Sequence, residues 1–191
     1  MIIVADSYSE SNQSVDNNLN ATFFMYGQAF TAATYGVLDK CKFYLKKASS
    51  PTGTVRAELY ALTGSYGTNA TPTGAALATS DQYDVSTLTT SYQLITFTFA
   101  VANRVILTAG TTYVMVLSYT GASSAPNHTV VGGDNTANTH SGNYSLNDGI
   151  WAGDNSVDLC FYVYVASIGL PSNTVRNLSV GSGMSCSEKH T

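Results

Sequence analysis

Apolar and polar positions alternate with a period of two along much of the chain, as in strands with one face in a core and the other in water. The firmest run is Val37 to Lys47, with Cys41, Phe43 and Leu45 on one side and Lys42, Tyr44 and Lys46 on the other. Ser49-Ser50-Pro51-Thr52-Gly53 is a turn signal, after which Val55, Ala57 and Leu59 alternate with Arg56, Glu58 and Tyr60. The two runs predict a hairpin with one face buried. Thr63 to Pro72 reads as a polar surface loop around Tyr66, and Ala75 to Ser80 as the start of another strand. Tyr92 to Phe99 is a clear strand, Val105 to Leu107 a short one, and Tyr113 to Tyr119, apolar on both faces, predicts a central strand. Leu159 to Val165 closes the core.

Between Thr120 and Gly153 the apolar signal fades into a stretch rich in Gly, Asn and Ser that also carries Tyr144, Ile150 and Trp151. It predicts a long loop, and long loops in compact domains are usually functional or disordered. The ends differ from the middle. Residues 1–22 are polar apart from Ile2, Ile3 and Val4, and residues 166–191 read as a Gly/Ser/Asn linker with isolated Leu170, Val175 and Leu178. They predict two terminal arms, anchored on partners through those apolar residues, around one β-sandwich domain at 23–165. No internal repeat is evident. Short strands between Gly, Pro, Asn and Ser clusters have the spacing of a sandwich, so the expected fold class is all-β and antiparallel, with no helix beyond about three turns.

Composition agrees. A chain of 191 residues suits one domain. Charged residues make up only 10%, against roughly 25% in soluble domains; Thr, Ser, Asn and Gly take their place, as strands and turns require. A net charge of -4 leaves no basic field to collect phosphates, so nucleic acid is not an expected partner. Lys40, Lys42, Lys46 and Lys47 form one basic cluster, placed mostly on one wet face, where they would discourage edge-to-edge pairing. The opening residues are too short an apolar run, without a positive flank, for a secretory signal. No stretch reaches the roughly 20 apolar residues of a membrane span. An exterior location would then follow from a removed export signal or from assembly and lysis.

The titratable groups are sparse. His128, His140 and His190 lie in polar segments, and Gly181-Ser182-Gly183 is no nucleophile turn; no catalysis is expected, and a hydrolase is the least favoured class. The three cysteines cannot all pair within the chain and lack metal spacing; Cys41 and Cys160 read as small core hydrophobes and Cys186 as an exposed tail residue. His128 and His140 with Asp134 and Asp148 match no metal motif and read as solvated loop residues. Asp134, Asp148 and Asp154, with Asn135 and Asp158, are hard oxygen donors of the kind a structural calcium takes, although turn formation accounts for the same residues. No other cofactor is expected. Trp151 with Tyr144 and Tyr66, or Tyr83, makes a candidate platform for stacking a sugar ring. The competing reading has Trp151 capping one end of the core, beside an Ile150 that also wants burial.

Phe43-Tyr44-Leu45-Lys46-Lys47, Ser50-Pro51-Thr52-Gly53-Thr54-Val55, Thr73-Gly74-Ala75-Ala76-Leu77-Ala78-Thr79-Ser80, Ser91 to Phe99, Leu107 to Tyr113 and Asp158 to Tyr164 together resemble the choice-of-anchor-type module of bacterial surface proteins and of phage and viral structural proteins. The likeness covers roughly residues 28 to 164. It implies a jelly-roll sandwich similar to carbohydrate-binding modules, serving attachment or display, and it supplies no binding residues. The expected function is that of a virion structural protein, a capsid decoration or head- or tail-fibre component at the virion surface, partnered by other virion proteins and copies of itself. The alternative is a carbohydrate-binding adhesion module recognising surface glycans.

Overall fold

The computed structural model describes residues 1–168. Its strands are β1 (Ile2–Tyr8), β2 (Val15–Leu19), β3 (Met25–Thr31), β4 (Gly36–Ala48), β5 (Thr54–Thr63), β6 (Thr71–Thr79), β7 (Tyr83–Asp84), β8 (Gln93–Thr98), β9 (Ile106–Leu107), β10 (Thr112–Thr120), β11 (His128–Asp134), β12 (Tyr144–Asn147), β13 (Trp151–Asp154), β14 (Asp158–Leu159) and β15 (Phe161–Ala166). They form two antiparallel sheets. The eight-stranded sheet runs β1-β15-β4-β11-β14, with β2 on β11 and with β8 and β9 on β4. The seven-stranded sheet runs β13-β12-β3-β10-β5-β6, with β7 on β5. Helix among the described residues is limited to three 3-10 turns of three residues each. The all-β, antiparallel sandwich read from the strand pattern is what the chain forms.

The core lies between the sheets. Phe43, Leu45, Phe97, Phe161 and Val163 from the eight-stranded sheet meet Phe30, Leu59, Met115 and Leu117 from the other, all with at most 1% exposure. The strand β10 is central, as its two apolar faces predict: Val114, Met115, Val116 and Leu117 are all fully buried, between β3 and β5.

Three expectations are corrected. First, β4 and β5 are not a hairpin, because they belong to different sheets and face each other across the core. Each strand has one apolar face, a pattern satisfied equally by side-by-side pairing and by face-to-face packing. Second, residues 1–22 are no arm. β1 pairs with β15 from Ile2↔Ala166 to Tyr8↔Phe161, and β2 pairs with β11. Ile3 packs on the core, while Ile2 and Val4 are 44% and 47% exposed on the outer face. Backbone pairing and the burial of Ala5, Tyr8 and Leu19 in the core together hold this segment. Third, the stretch Thr120 to Gly153 contains β11, β12 and β13. The strand β11 escaped notice because its buried positions include Gly132 and Gly133, where neighbours press too close for a side chain: a Cβ on Gly133 would sit 2.8 Å from Asn17 Nδ2. Of the predicted C-terminal arm at 166–191, Ala166 closes β15, and Leu170, Val175 and Leu178 lie outside the described residues.

Candidate functional site

In the β12–β13 pair Asn147 is opposite Trp151 and Tyr144 is opposite Asp154. Tyr144 and Asn147 are three residues apart, so they point to opposite sides of the sheet. Tyr144 turns inward against Tyr26, ring centroids 5.6 Å apart. Burial pushes the Tyr26 hydroxyl up to about 12 and raises that of Tyr144 further. Trp151 faces outward. The expected platform of Trp151, Tyr144 and Tyr66 is therefore split, and Tyr144 drops out of it.

Tyr66 stays, and Tyr60 joins. Trp151, Tyr66, Tyr60, Met25 and Leu62 are partly buried around Ala29, Ala70, Val114 and Val116, on the outer face of the seven-stranded sheet. Trp151 thus belongs to a second apolar cluster and does not cap the main core; Ile150 beside it is 80% exposed. The floor is made of small residues. A Cβ on Gly27 would lie 2.6 Å from Ser145 Oγ. The loop carrying Tyr66 is held by the buried Asn143, whose Oδ1 accepts from the Ala70 N–H at 3.1 Å and whose Nδ2 donates to the Ala70 carbonyl at 2.9 Å. Tyr66 Oη is 3.0 Å from Ser141 Oγ. Beside the cluster the buried Glu58 accepts from Arg56 Nε at 2.6 Å and from Tyr60 Oη at 2.8 Å. Burial and the Glu58 charge push the Tyr60 hydroxyl up to about 12. Arg56, Glu58 and Tyr60 were legible as the outward side of β5; that Tyr60 and Trp151 pack on the same apolar cluster was not, because their strands are separated in the sheet by β12, β3 and β10.

Of the aspartates expected as calcium donors, Asp134 and Asp158 are cross-strand neighbours, but Asp148 and Asp154 do not join them. Asp148 and Asp154 are exposed at different places on the β12–β13 hairpin, whereas Asp134 is 1% exposed at the end of β11. Asp134 is filled by donors: Tyr8 Oη at 2.7 Å, Ser14 Oγ at 2.6 Å, the Thr136 N–H at 2.9 Å and Oγ1 at 2.8 Å, and the Asn138 N–H at 3.0 Å. Burial alone would raise its carboxyl, but these hydrogen bonds hold it well below the usual range. Among the described residues no three His, Cys, Asp or Glu side chains gather as a metal site.

His140 is not a solvated loop residue. Its side chain is 6% exposed, edge-on to Phe161 with ring centroids 5.2 Å apart. Nδ1 accepts from the Gly142 N–H at 3.1 Å and from Gln28 Nε2 at 3.3 Å, and Nε2 donates to Asp6 at 3.4 Å. Both ring nitrogens have partners, so the imidazole pins the 135–143 loop to the sandwich. His128 begins β11, and His190 and Cys186 lie outside the described residues. Cys41 and Cys160 are buried and unpaired, as small hydrophobes; burial raises both thiols, Cys160 up to about 12.

The lysine cluster needs a different account. β4 is bordered along its length by β15, β11, β8 and β9, so lysines on it cannot guard an edge. Lys46 is tied to Asp16 at 2.7 Å and lies 4.4 Å from the Tyr92 ring centroid, and Tyr92 stacks on Tyr44 at 4.6 Å. A shallow cleft between β6 and the turn at Val101–Asn103 has apolar Leu77 and Val105 in its lining, and its cation, Arg104, is paired with Asp39 at 2.8 Å. No family model matches this chain, and no curated protein matches it significantly in sequence.

Proposed function

We propose that the chain is a non-enzymatic virion structural protein, a capsid decoration or head- or tail-fibre component, whose sandwich, of jelly-roll connectivity, is displayed on the particle surface. The observation that carries this reading is that both described ends leave the sandwich together: Ile2 pairs with Ala166, and the Ser167 N–H donates to the Met1 carbonyl at 2.8 Å. A module held at one edge leaves its outer sheet faces free to point away. The weakly charged Thr- and Asn-rich surface and the resemblance to phage and viral modules support the same reading. With β1 and β2 built into the sheet, the assembly contact falls to residues 169–191, whose Leu170, Val175 and Leu178 would bury on a neighbouring subunit. Symmetric copies on a lattice would follow. Mass spectrometry of purified particles should detect the protein, and a chain lacking 169–191 should keep the strand-type circular dichroism yet be lost from particles. Absence from particles, or unchanged association of the truncated chain, overturns the proposal.

A carbohydrate-binding adhesion module is the second reading, favoured by the shared outward face of Trp151, Tyr60 and Tyr66. Retardation in glycan affinity gels that disappears in Trp151→Ala, with the fold intact, would raise it above the first.

A further inference from the structure

The outer face of the eight-stranded sheet carries a repeated row of ring, cation and hydroxyl. Tyr164 on β15 is opposite Lys40 on β4, which is opposite Thr98 on β8; one step along, Tyr162 is opposite Lys42, which is opposite Thr96. All six are on the side away from the core, because Cys41, Phe43, Phe97, Phe161 and Val163 occupy the inward positions. The two tyrosine rings lie 6.3 Å apart and nearly parallel, at 20°. Strand geometry sets the repeat between rows at about 6.6 Å.

The lysines in these rows lie against a tyrosine ring and have no acid partner. Lys46 has Asp16 and Lys47 donates to the Ser86 carbonyl, whereas Lys40 and Lys42 pair with no carboxylate among the described residues. Their ammoniums stand 5.5 and 5.7 Å from the Tyr164 ring centroid. An acid on this face, Glu10, accepts from Tyr162 Oη. Lys40 and Lys42 thus present two ammoniums without a paired carboxylate, in a chain whose net charge is -4.

From the row geometry we infer that this face binds an acidic polysaccharide, a polymer whose repeating pyranose presents an apolar ring face, a carboxylate and hydroxyls at a regular interval. The ring faces would lie along Tyr162 and Tyr164, the carboxylates between Lys40 and Lys42, and the hydroxyls toward Thr96 and Thr98. A repeating site selects a repeating ligand. Two ammoniums on an acidic protein favour a carboxylated sugar over a nucleic acid, which calls for a broad basic field. The inference rests on the reading of this chain as a binding module and is independent of the Trp151 face.

The test is affinity electrophoresis of the full chain in gels containing polygalacturonate, neutral dextran, polyglutamate or single-stranded poly-dT. Retardation by polygalacturonate alone is expected, weakened at least tenfold by Lys40→Gln/Lys42→Gln and by Tyr164→Ala, and retained in Lys47→Gln. The lysine variants are on the surface, and unchanged thermal melting confirms that they fold. Equal retardation by polyglutamate or poly-dT, an undiminished effect in the double lysine variant, or no retardation at all overturns the inference. Particle association reports separately on the virion reading, so either can fail while the other stands.

Discussion

Asp134 and Asp158 stand directly opposite one another in the β11–β14 pair, and their surroundings drive them apart: Asp134 is held well below the ordinary carboxyl range and Asp158 is raised above it. Both are at most 2% exposed. Burial raises Asp158, opposed by the His140 N–H at 2.9 Å and Gln28 Nε2 at 3.2 Å and reinforced by the charge on Asp134. Two like charges at this range cannot be equally welcome, and the carboxylate with more donors keeps its charge.

Asp134→Asn should therefore cost much more than Asp158→Asn. An amide in place of Oδ2 would point hydrogens at Tyr8 Oη and the Asn138 N–H, both donors. The expected loss is about 3 kcal/mol, against about 1 kcal/mol for Asp158→Asn, read from urea midpoints. Equal losses would refute this ranking.

Acid should unfold the protein through Asp134. Its folded value lies below the unfolded one of about 4, so its contribution is complete above about pH 4 and is lost as the pH falls further, where the unfolded chain takes up the proton first. Asp158, shifted the other way, recovers a smaller part over the same fall. Urea stability measured from pH 6 to pH 2 should drop, and the drop should shrink in Asp134→Asn.

Replacing His140 by Ala should free the 135–143 loop. The change removes the contacts to Gly142, Gln28 and Asp6 and leaves space beside Phe161, a loss of about 2 kcal/mol. Hydrogen exchange should rise first in residues 135–143, and protection unchanged there would contradict the pinning role.

Gly132→Val should disturb the Tyr44–Tyr92 stack. A Cβ at Gly132 already comes within 3.0 Å of Tyr44 Cδ1 and 3.2 Å of Tyr92 Cε1, and the added methyls would lift Tyr92 from its 2.7 Å bond to Asp16. A cost of about 2 kcal/mol and a change in tyrosine near-ultraviolet circular dichroism are expected.

Cys41 and Cys160 should resist a water-soluble thiol reagent until the protein unfolds, since both are fully buried and their thiols are raised by desolvation. Labelling of either in the folded chain at the rate of a free thiol would contradict the burial.

Residue pattern alone determined that this chain is an antiparallel β protein, that β4 has one apolar face and β10 two, and that Cys41 and Cys160 pack as hydrophobes. These properties follow from period-two alternation, which is local. Tertiary structure alone decided which strands are neighbours. An apolar face specifies burial but not a partner, so β4 and β5 read as a hairpin though they lie in opposite sheets. The apolar residues Ile2, Ile3 and Val4 of β1 name no partner either, and the strand is placed by the hydrogen bonds β15 offers it. The same limit governs the sites: Trp151, Tyr144 and Tyr66 were legible as a candidate aromatic platform, but Tyr144 and Trp151 lie on opposite faces of a hairpin not evident from sequence. The row of Tyr164, Lys40 and Thr98 joins residues 58 or more apart in the chain, so only strand register, set by the whole sandwich, could assemble it.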